Sequence, residues 1–192
     1  MKVSNLAKAF FRELDQRVGP FDRPIQFRVF PFDAGGALNL LTVGAGRKEF
    51  VTYVSWDLFG HPRQKRGKLG RYELLVVCDD ENWAIETLTN IGRQSLQTVF
   101  NPGDTLDIGP WVGPSSPLQG VIFEQVLKLE LDDPPGKVSC GLLGCIGITR
   151  SELEFAIRFG VEALVEQLKG AGIYPRTMTR RGSIDLRHTQ HG

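Results

Sequence analysis

Leu6, Phe10, Phe11, Leu14 and Val18 recur at helical spacing behind Ser4, a good N-cap, so an amphipathic helix opens the chain and Gly19-Pro20 ends it. The period then changes. Ile25, Phe27 and Val29 alternate with Gln26 and Arg28, the two-residue repeat of a half-buried strand. The runs 38–43 and 50–55 predict two more strands, parted by turns at Asp33-Ala-Gly-Gly36 and Gly44-Ala-Gly46. After Glu73 the segment 72–78 is almost wholly apolar, as in a strand covered on both faces. Asp79-Asp-Glu81 places negative charge where the macrodipole of a helix over 82–100 favours it. Trp83, Ile85, Leu88, Ile91, Leu96 and Val99 form the buried stripe of that helix.

In Asn101-Pro-Gly-Asp104, Pro fixes one backbone angle and Gly admits a positive φ, which predicts a turn. Strands follow over 105–108 and 120–126, a turn at Asp132-Asp-Pro-Pro-Gly136, and an apolar, Gly- and Cys-rich strand over 138–148. Thr149-Arg-Ser-Glu152 is a capping box. The helix it opens turns Leu153, Phe155, Ala156, Phe159, Leu164, Val165 and Leu168 inward, with an interruption expected at Gly160 and a stop at Gly170-Ala-Gly172. Residues 183–186 are expected to add a last edge strand before a frayed tail. Three long helices and seven or eight strands, the strands in runs, predict an α+β fold with helices packed on a mixed or mainly antiparallel sheet. With no repeat, low-complexity tract or linker, residues 1–192 read as one domain.

A chain of 192 residues buries enough surface to need no metal or disulfide staple. A net charge of +1 argues against general attraction to nucleic acid or membranes. Cys78, Cys140 and Cys145 lie in apolar stretches without a C-x-x-C pair, so they read as free buried thiols in a reducing compartment. A zinc site would lack a fourth soft ligand, His61 being the nearby type. No window holds 18 apolar residues and the N-terminus has no long apolar core, which predicts a cytoplasmic protein with no membrane span and no signal peptide.

The groups that carry chemistry are sparse. Of the histidines, His61 sits in a basic loop and His188 and His191 in the tail, none beside a Gly-x-Ser-x-Gly elbow or a suitable Cys. Gly44-Ala-Gly-Arg-Lys48 lacks the spacing of a phosphate loop and precedes a strand rather than a helix. The pairs Asp79-Asp80, Asp104/Asp107 and Asp132-Asp133 read as a cap and turns, without the dense oxygen cluster a hard cation requires. These readings exclude a cofactor and a metal and leave an enzyme of unknown class as an alternative without a site. Arg63, Lys65, Arg66, Lys68 and Arg71 form the concentrated charge, in the Gly-rich loop 60–70 and just after it. That loop is a solvated face or a dock for an acidic partner. Without interleaved aromatics, a weak nucleic-acid role is an alternative reading. Trp56 and Phe59 flank Asp57 where a strand gives way to this loop, and Trp111 lies in the rigid Gly109-Pro-Trp-Val-Gly-Pro114. Such rings anchor partners or close the core.

Several short blocks recur in a telling order: Val54-Ser-Trp-Asp-Leu-Phe-Gly60, Tyr72-Glu-Leu74, Asn90-Ile-Gly-Arg93 with Phe100, and Gly103-Asp104. Ser116-Pro-Leu118, the strand end at 146–149, Glu152-Leu153 and Met178-Thr-Arg-Arg-Gly-Ser183 continue the series. Over about residues 50–185 this ordered set resembles the N-terminal lobe of the Suppressor of Fused family. The resemblance implies an α+β domain that binds proteins and does not catalyse. The animal member restrains zinc-finger transcription factors of the Hedgehog pathway and holds an extended peptide as an added strand between two lobes. In that role the family's Gly-Asp turn corresponds to Asp104, whereas the Tyr expected after the helix Arg is replaced by Gln94, next to Arg93. With only the first lobe matched, the Hedgehog role does not transfer. Small relatives of this kind look bacterial, and many are proposed immunity proteins that neutralise a toxin. The expected partner is accordingly a protein, a toxin or an extended segment, and the expected contacts are Asp104, Arg93, Trp56, Asp57, Phe59 and Trp111.

Overall fold

Among the described residues, seven strands hydrogen-bond into one sheet: β1 (Phe27–Pro31), β2 (Ala37–Val43), β3 (Val51–Trp56), β4 (Arg71–Cys78), β5 (Thr105–Asp107), β6 (Leu118–Asp133) and β7 (Gly136–Thr149). Their spatial order is β1-β2-β3-β4-β7-β6-β5. The computed structural model describes residues 5–18, 27–31, 37–43, 49–56, 58–133 and 136–186. Neighbours pair antiparallel except β4 and β7, which run parallel and join the two antiparallel halves. The sheet is therefore mixed, and the fold is α+β as the pattern predicts.

Side-chain alternation assigns the faces. On β7, Leu143 and Cys145 point to one face, into a core shared with Tyr53, Tyr72, Leu74, Leu88 and Phe100. Cys140 and Leu142 point to the other, towards Phe10 and Leu14 of α1 (Asn5–Val18). Ile146 and Ile148 share that second face and meet Leu153, Leu164 and Leu168. The first face is covered by α2 (Glu81–Gln94) and the short α3 (Gly109–Val112). The second carries α1 and the pair α4 (Arg150–Phe159) and α5 (Val161–Gly170).

β6 spans both ends of the molecule, and a bulge lets it do so. Its register with β7 shifts between Gln125 and Leu127, which leaves Val126 as an extra, exposed residue. One added residue reverses the parity of the strand. Val121 and Phe123 consequently face α2, whereas Leu127, Leu129 and Leu131 face α1. The expected strand 120–126 thus runs from Leu118 to Asp133, and Asp133 pairs with Gly136 across the predicted turn.

Other expectations shift locally. The second helix stops at Gln94 instead of reaching 100, and Ser95 closes it by donating its N–H to Ile91. Val99 therefore leaves the buried stripe and is exposed. The C-terminal helix is interrupted at Gly160, as expected, into α4 and α5. The capping box is present: Thr149 Oγ1 accepts the Glu152 N–H and Glu152 Oε2 accepts the Thr149 N–H. No strand forms over 183–186; Ser183 and Ile184 instead hydrogen-bond to Thr149 and Glu152. Asp80, not Asp79, caps α2, accepting the Trp83 N–H at 3.0 Å. Asp79 accepts both the N–H and the hydroxyl of Thr179 at 2.9 Å. Ser4, Gly19-Pro20, Ile25, Gln26, the turn at Asp33–Gly36 and the loop Gly44–Lys48 lie outside the described residues. No described helix is long and apolar enough to cross a membrane.

Candidate functional site

The block around β3 and β4 resolves into packing. Glu73 is wholly buried on β4, and its carboxylate accepts the Ser55 hydroxyl and, at 3.1 Å, the Phe59 N–H. Ser55 Oγ in turn accepts the Leu74 N–H at 2.7 Å. These bonds fold the chain sharply after β3 and press Phe59 against Phe10, ring centroids 5.4 Å apart. At 1% exposure Phe59 has no surface to offer a partner, and burial rather than anchoring is its role. Trp56 is half-buried on the same side of the sheet, beside the α1 core. Asp57 lies outside the described residues. Trp111 is half-buried in α3 against the opposite core.

The five expected contact residues that the structure describes therefore do not form one patch. β3 and β5 stand four places apart in the sheet, and Phe59 and Trp111 lie on opposite faces. Asp104 is different. It sits in the turn before β5, half-buried, with Oδ2 accepting the Asn101 N–H at 2.8 Å and Asn101 Nδ2 at 3.3 Å. Its N–H closes the turn on Asn101 O, and its carbonyl accepts the Phe123 N–H at 3.0 Å. Gly103 takes φ 88°, as the turn requires, and donates to Phe123 O.

Asp104 opens onto a groove of about 740 Å³ whose walls include Gln94, Val99, Leu106, Ile157 and Glu162. Gln94 and Asp104 thus share one site, while Arg93 is exposed, donates to Asn90 Oδ1 at 3.4 Å and does not line it. The floor is the outer edge of the sheet. β5 pairs with β6 and, among the described residues, has no strand on its other side. Asp104 O and Ile108 N–H both bond to the β6 side, so the antiparallel alternation turns the N–H and C=O of Thr105 and Asp107 outward. Asp107 holds Arg150 in a bidentate pair at 2.7 and 3.0 Å, which lowers its carboxyl pKa, and also accepts the Gly109 N–H. Burial first, and the neighbouring Glu162 after it, raise the Glu124 carboxyl.

Val99 and Ile157 were not among the expected contacts. Ile157 is 69% exposed although apolar, and its place off the inward stripe of α4 is the signal that marks it. Of the reactive groups, all three thiols are buried; burial raises each thiol pKa, to about 12 for Cys78 and Cys140, so none offers a thiolate. Among the described residues no group of His, Cys, Asp and Glu is placed to hold a metal.

A family model described as Suppressor of fused protein (SUFU) matches residues 36–181. The chain belongs to the Suppressor of fused family. Among solved structures it is similar to the Sufu-Fu complex crystal structure, with a TM-score of 0.65 at 18% identity, covering 92% of this chain and 91% of that one. It is also similar to the crystal structure of Drosophila Suppressor of Fused, with a TM-score of 0.52 at 18% identity; that match covers 83% of this chain and 42% of the Drosophila chain. These likenesses carry the fold. Among curated proteins nothing matches. Within the Suppressor of fused match lie the Glu73 constellation, the Gly103-Asp104 turn and the buried Glu152, whereas Ser183, which donates to Thr149, falls just beyond its end.

Proposed function

We propose that this Suppressor of fused domain is a non-catalytic protein-binding module that captures an extended segment of a partner on the β5 edge. The observation that carries the reading is the unpaired edge of β5 facing a groove beside Asp104. An open strand edge offers a row of backbone donors and acceptors, and strand addition is the usual way to use it. Side chains of the added strand would enter the groove between Val99 and Ile157 or approach the Asp104 and Glu162 carboxylates. The burial of all three thiols fits binding better than thiol catalysis. The similar Sufu-Fu structure is by name a complex, an assembly with a second protein, and supports the same direction.

The finer role we infer is that of an immunity or inhibitor protein, cytoplasmic and bacterial, that sequesters a toxic partner. Affinity purification from the source cells is expected to return one stoichiometric protein. That protein should arrest growth when expressed alone and be harmless with this chain; a partner harmless on its own removes the immunity role. For the site, Thr105→Pro deletes an outward N–H without touching the β5–β6 ladder. It should abolish partner binding with the melting temperature nearly unchanged. Asp104→Asn keeps the turn's acceptor but removes the charge and should weaken binding. Full affinity in both variants rejects this surface.

A further inference from the structure

The loop 60–70 reads in sequence as a solvated face or a dock for an acidic partner, and it is built as a fixed turn. Gln64 is buried, donating Nε2 to Tyr72 O at 2.6 Å and accepting the Tyr72 N–H at 3.3 Å, so its amide stands in for a neighbouring strand. The Lys65 N–H reaches Ser95 O at the end of α2, at 3.2 Å. Gly67 and Gly70 exchange both backbone hydrogen bonds, at 2.8 and 2.9 Å. The Lys68 N–H donates to Asn101 Oδ1 at 2.8 Å, and Leu69 is buried in the core. Gly70 takes φ 76°, and a Cβ there would meet Ser139 O at 2.0 Å. None of these anchors uses the side chain of Arg63, Lys65, Arg66 or Lys68, which stay exposed.

Arg63, Lys65, Arg66 and Lys68 are exposed and form no ion pair with any described residue. Arg71 does not join them; half-buried, it donates Nη1 to Phe59 O and His61 O at 2.9 and 3.2 Å. Two cations from elsewhere do join. Lys128 Nζ donates to Lys68 O at 3.1 Å, and Arg93 is exposed on the last turn of α2, whose closing Ser95 holds Lys65. Cations from three separate stretches thus meet at one corner of a chain whose net charge is only +1. The corner adjoins the groove. Asn101 takes the Lys68 N–H on Oδ1 and donates Nδ2 to Asp104, and Val99, a groove wall, packs over Gly67.

We propose that residues 63–68, with Arg93 and Lys128, form a preorganised docking platform for an acidic protein segment contiguous with whatever occupies the groove. The inference rests on the reading of this end of the molecule as its protein-binding end, though not on strand addition. A backbone held in place lowers the ordering cost of binding, and unpaired cations on it steer and select acidic partners. Nucleic acid suits the corner less well. The rings beside it, Tyr72 and Phe100, are buried and offer no stacking face. Just past Asn101 the surface turns acidic at Asp104 and Glu162, which would repel a continuing phosphate track.

Selection of a random twelve-residue displayed peptide library on the whole protein tests the platform, run in parallel on the wild type, on Lys65→Glu/Arg66→Glu/Lys68→Glu and on Thr105→Pro. Asp and Glu should be enriched from the wild type. Affinity for those peptides should fall by about tenfold in the triple reversal, the scale of three rim charges. Unchanged thermal melting would show that the reversal leaves the fold intact. Peptides of indifferent charge that depend on Thr105 would overturn the platform and leave strand addition standing. Acidic peptides indifferent to Thr105→Pro would keep the platform and remove strand addition. No enriched peptides, or peptides displaced by a thymidylate twenty-mer at micromolar concentration, would overturn the platform.

Discussion

Glu152 shows how much one side chain carries. It is wholly buried at the start of α4, yet Arg181 meets it through Nη1 and Nη2, at 2.5 and 2.6 Å, and the N–H groups of Thr149 and Ile184 donate to it at 2.9 and 3.1 Å. Burial alone raises its pKa, but Arg181 and the two N–H donors outweigh burial and hold the carboxyl below its ordinary value of 4.5. The sign follows from that depression. A group more acidic folded than unfolded contributes stability above the unfolded value, about 4.5, and loses it as pH falls through the folded value. Urea unfolding should therefore show a flat plateau at neutral pH and a falling limb below about pH 4.5, less steep in Glu152→Gln. Arg181→Ala leaves the carboxylate buried without its counter-charge and should cost about 3–5 kcal/mol at pH 7. A cost under about 1 kcal/mol, the worth of an exposed pair, would show that the pair is not sealed from water. The capping box was legible as a motif from Thr149 and Glu152. Its third partner was not, because no local rule links a helix start to an arginine 29 residues on.

At the scale of elements, legibility follows whether an element's cause is local. α2 began where expected because Asp80 and Glu81 sit at its start, and local charge and capping decide that. Its end was misplaced because Leu96, Val99 and Phe100 continue a helical period although the chain has already turned; Leu96 and Phe100 enter the core from the turn, and Val99 goes to the groove. The far half of β6 had a clear signal in the alternation of Leu127, Leu129 and Leu131, but the bulge at Val126 breaks the parity that joins it to Val121 and Phe123. The candidate site was legible only through Asp104. Residue type alone singles out Trp56, Phe59 and Trp111, and type does not tell an anchor from a lid; the groove walls come from segments that only the tertiary fold brings together. The cap itself is testable. Asp80→Ala should cost about 1 kcal/mol, read as a lower urea midpoint at unchanged slope, whereas Asp80→Asn should recover most of it. Asp79→Ala should act differently, loosening the segment around Thr179, to which Asp79 bonds 100 residues away, and leaving α2 intact.

The whole molecule is a sheet whose protection grades from centre to edge, and that gradient ties stability to function. β7 lies at the join, bonded parallel to β4 and antiparallel to β6, and residues 140–149 are all buried. Helices cover both of its faces, and Thr177 seals one end, bridging Cys78 and accepting the Gly147 N–H at 2.9 Å. β5, by contrast, contributes three residues at an edge. A strand bonded on both sides opens only with the global unfolding free energy, whereas an edge strand opens locally and the N–H groups on its outer side exchange freely. Hydrogen exchange read by mass spectrometry should find the slowest amides in β4 and β7. Thr105 and Asp107, whose N–H groups face away from β6, should exchange orders of magnitude faster than Leu106 between them. Partner binding by strand addition must reverse that order locally, slowing Thr105 and Asp107 while the centre of the sheet stays unchanged. Protection that appears instead around the basic turn, with 105 and 107 still fast, would show that the partner grips the platform alone and leaves the sheet edge open.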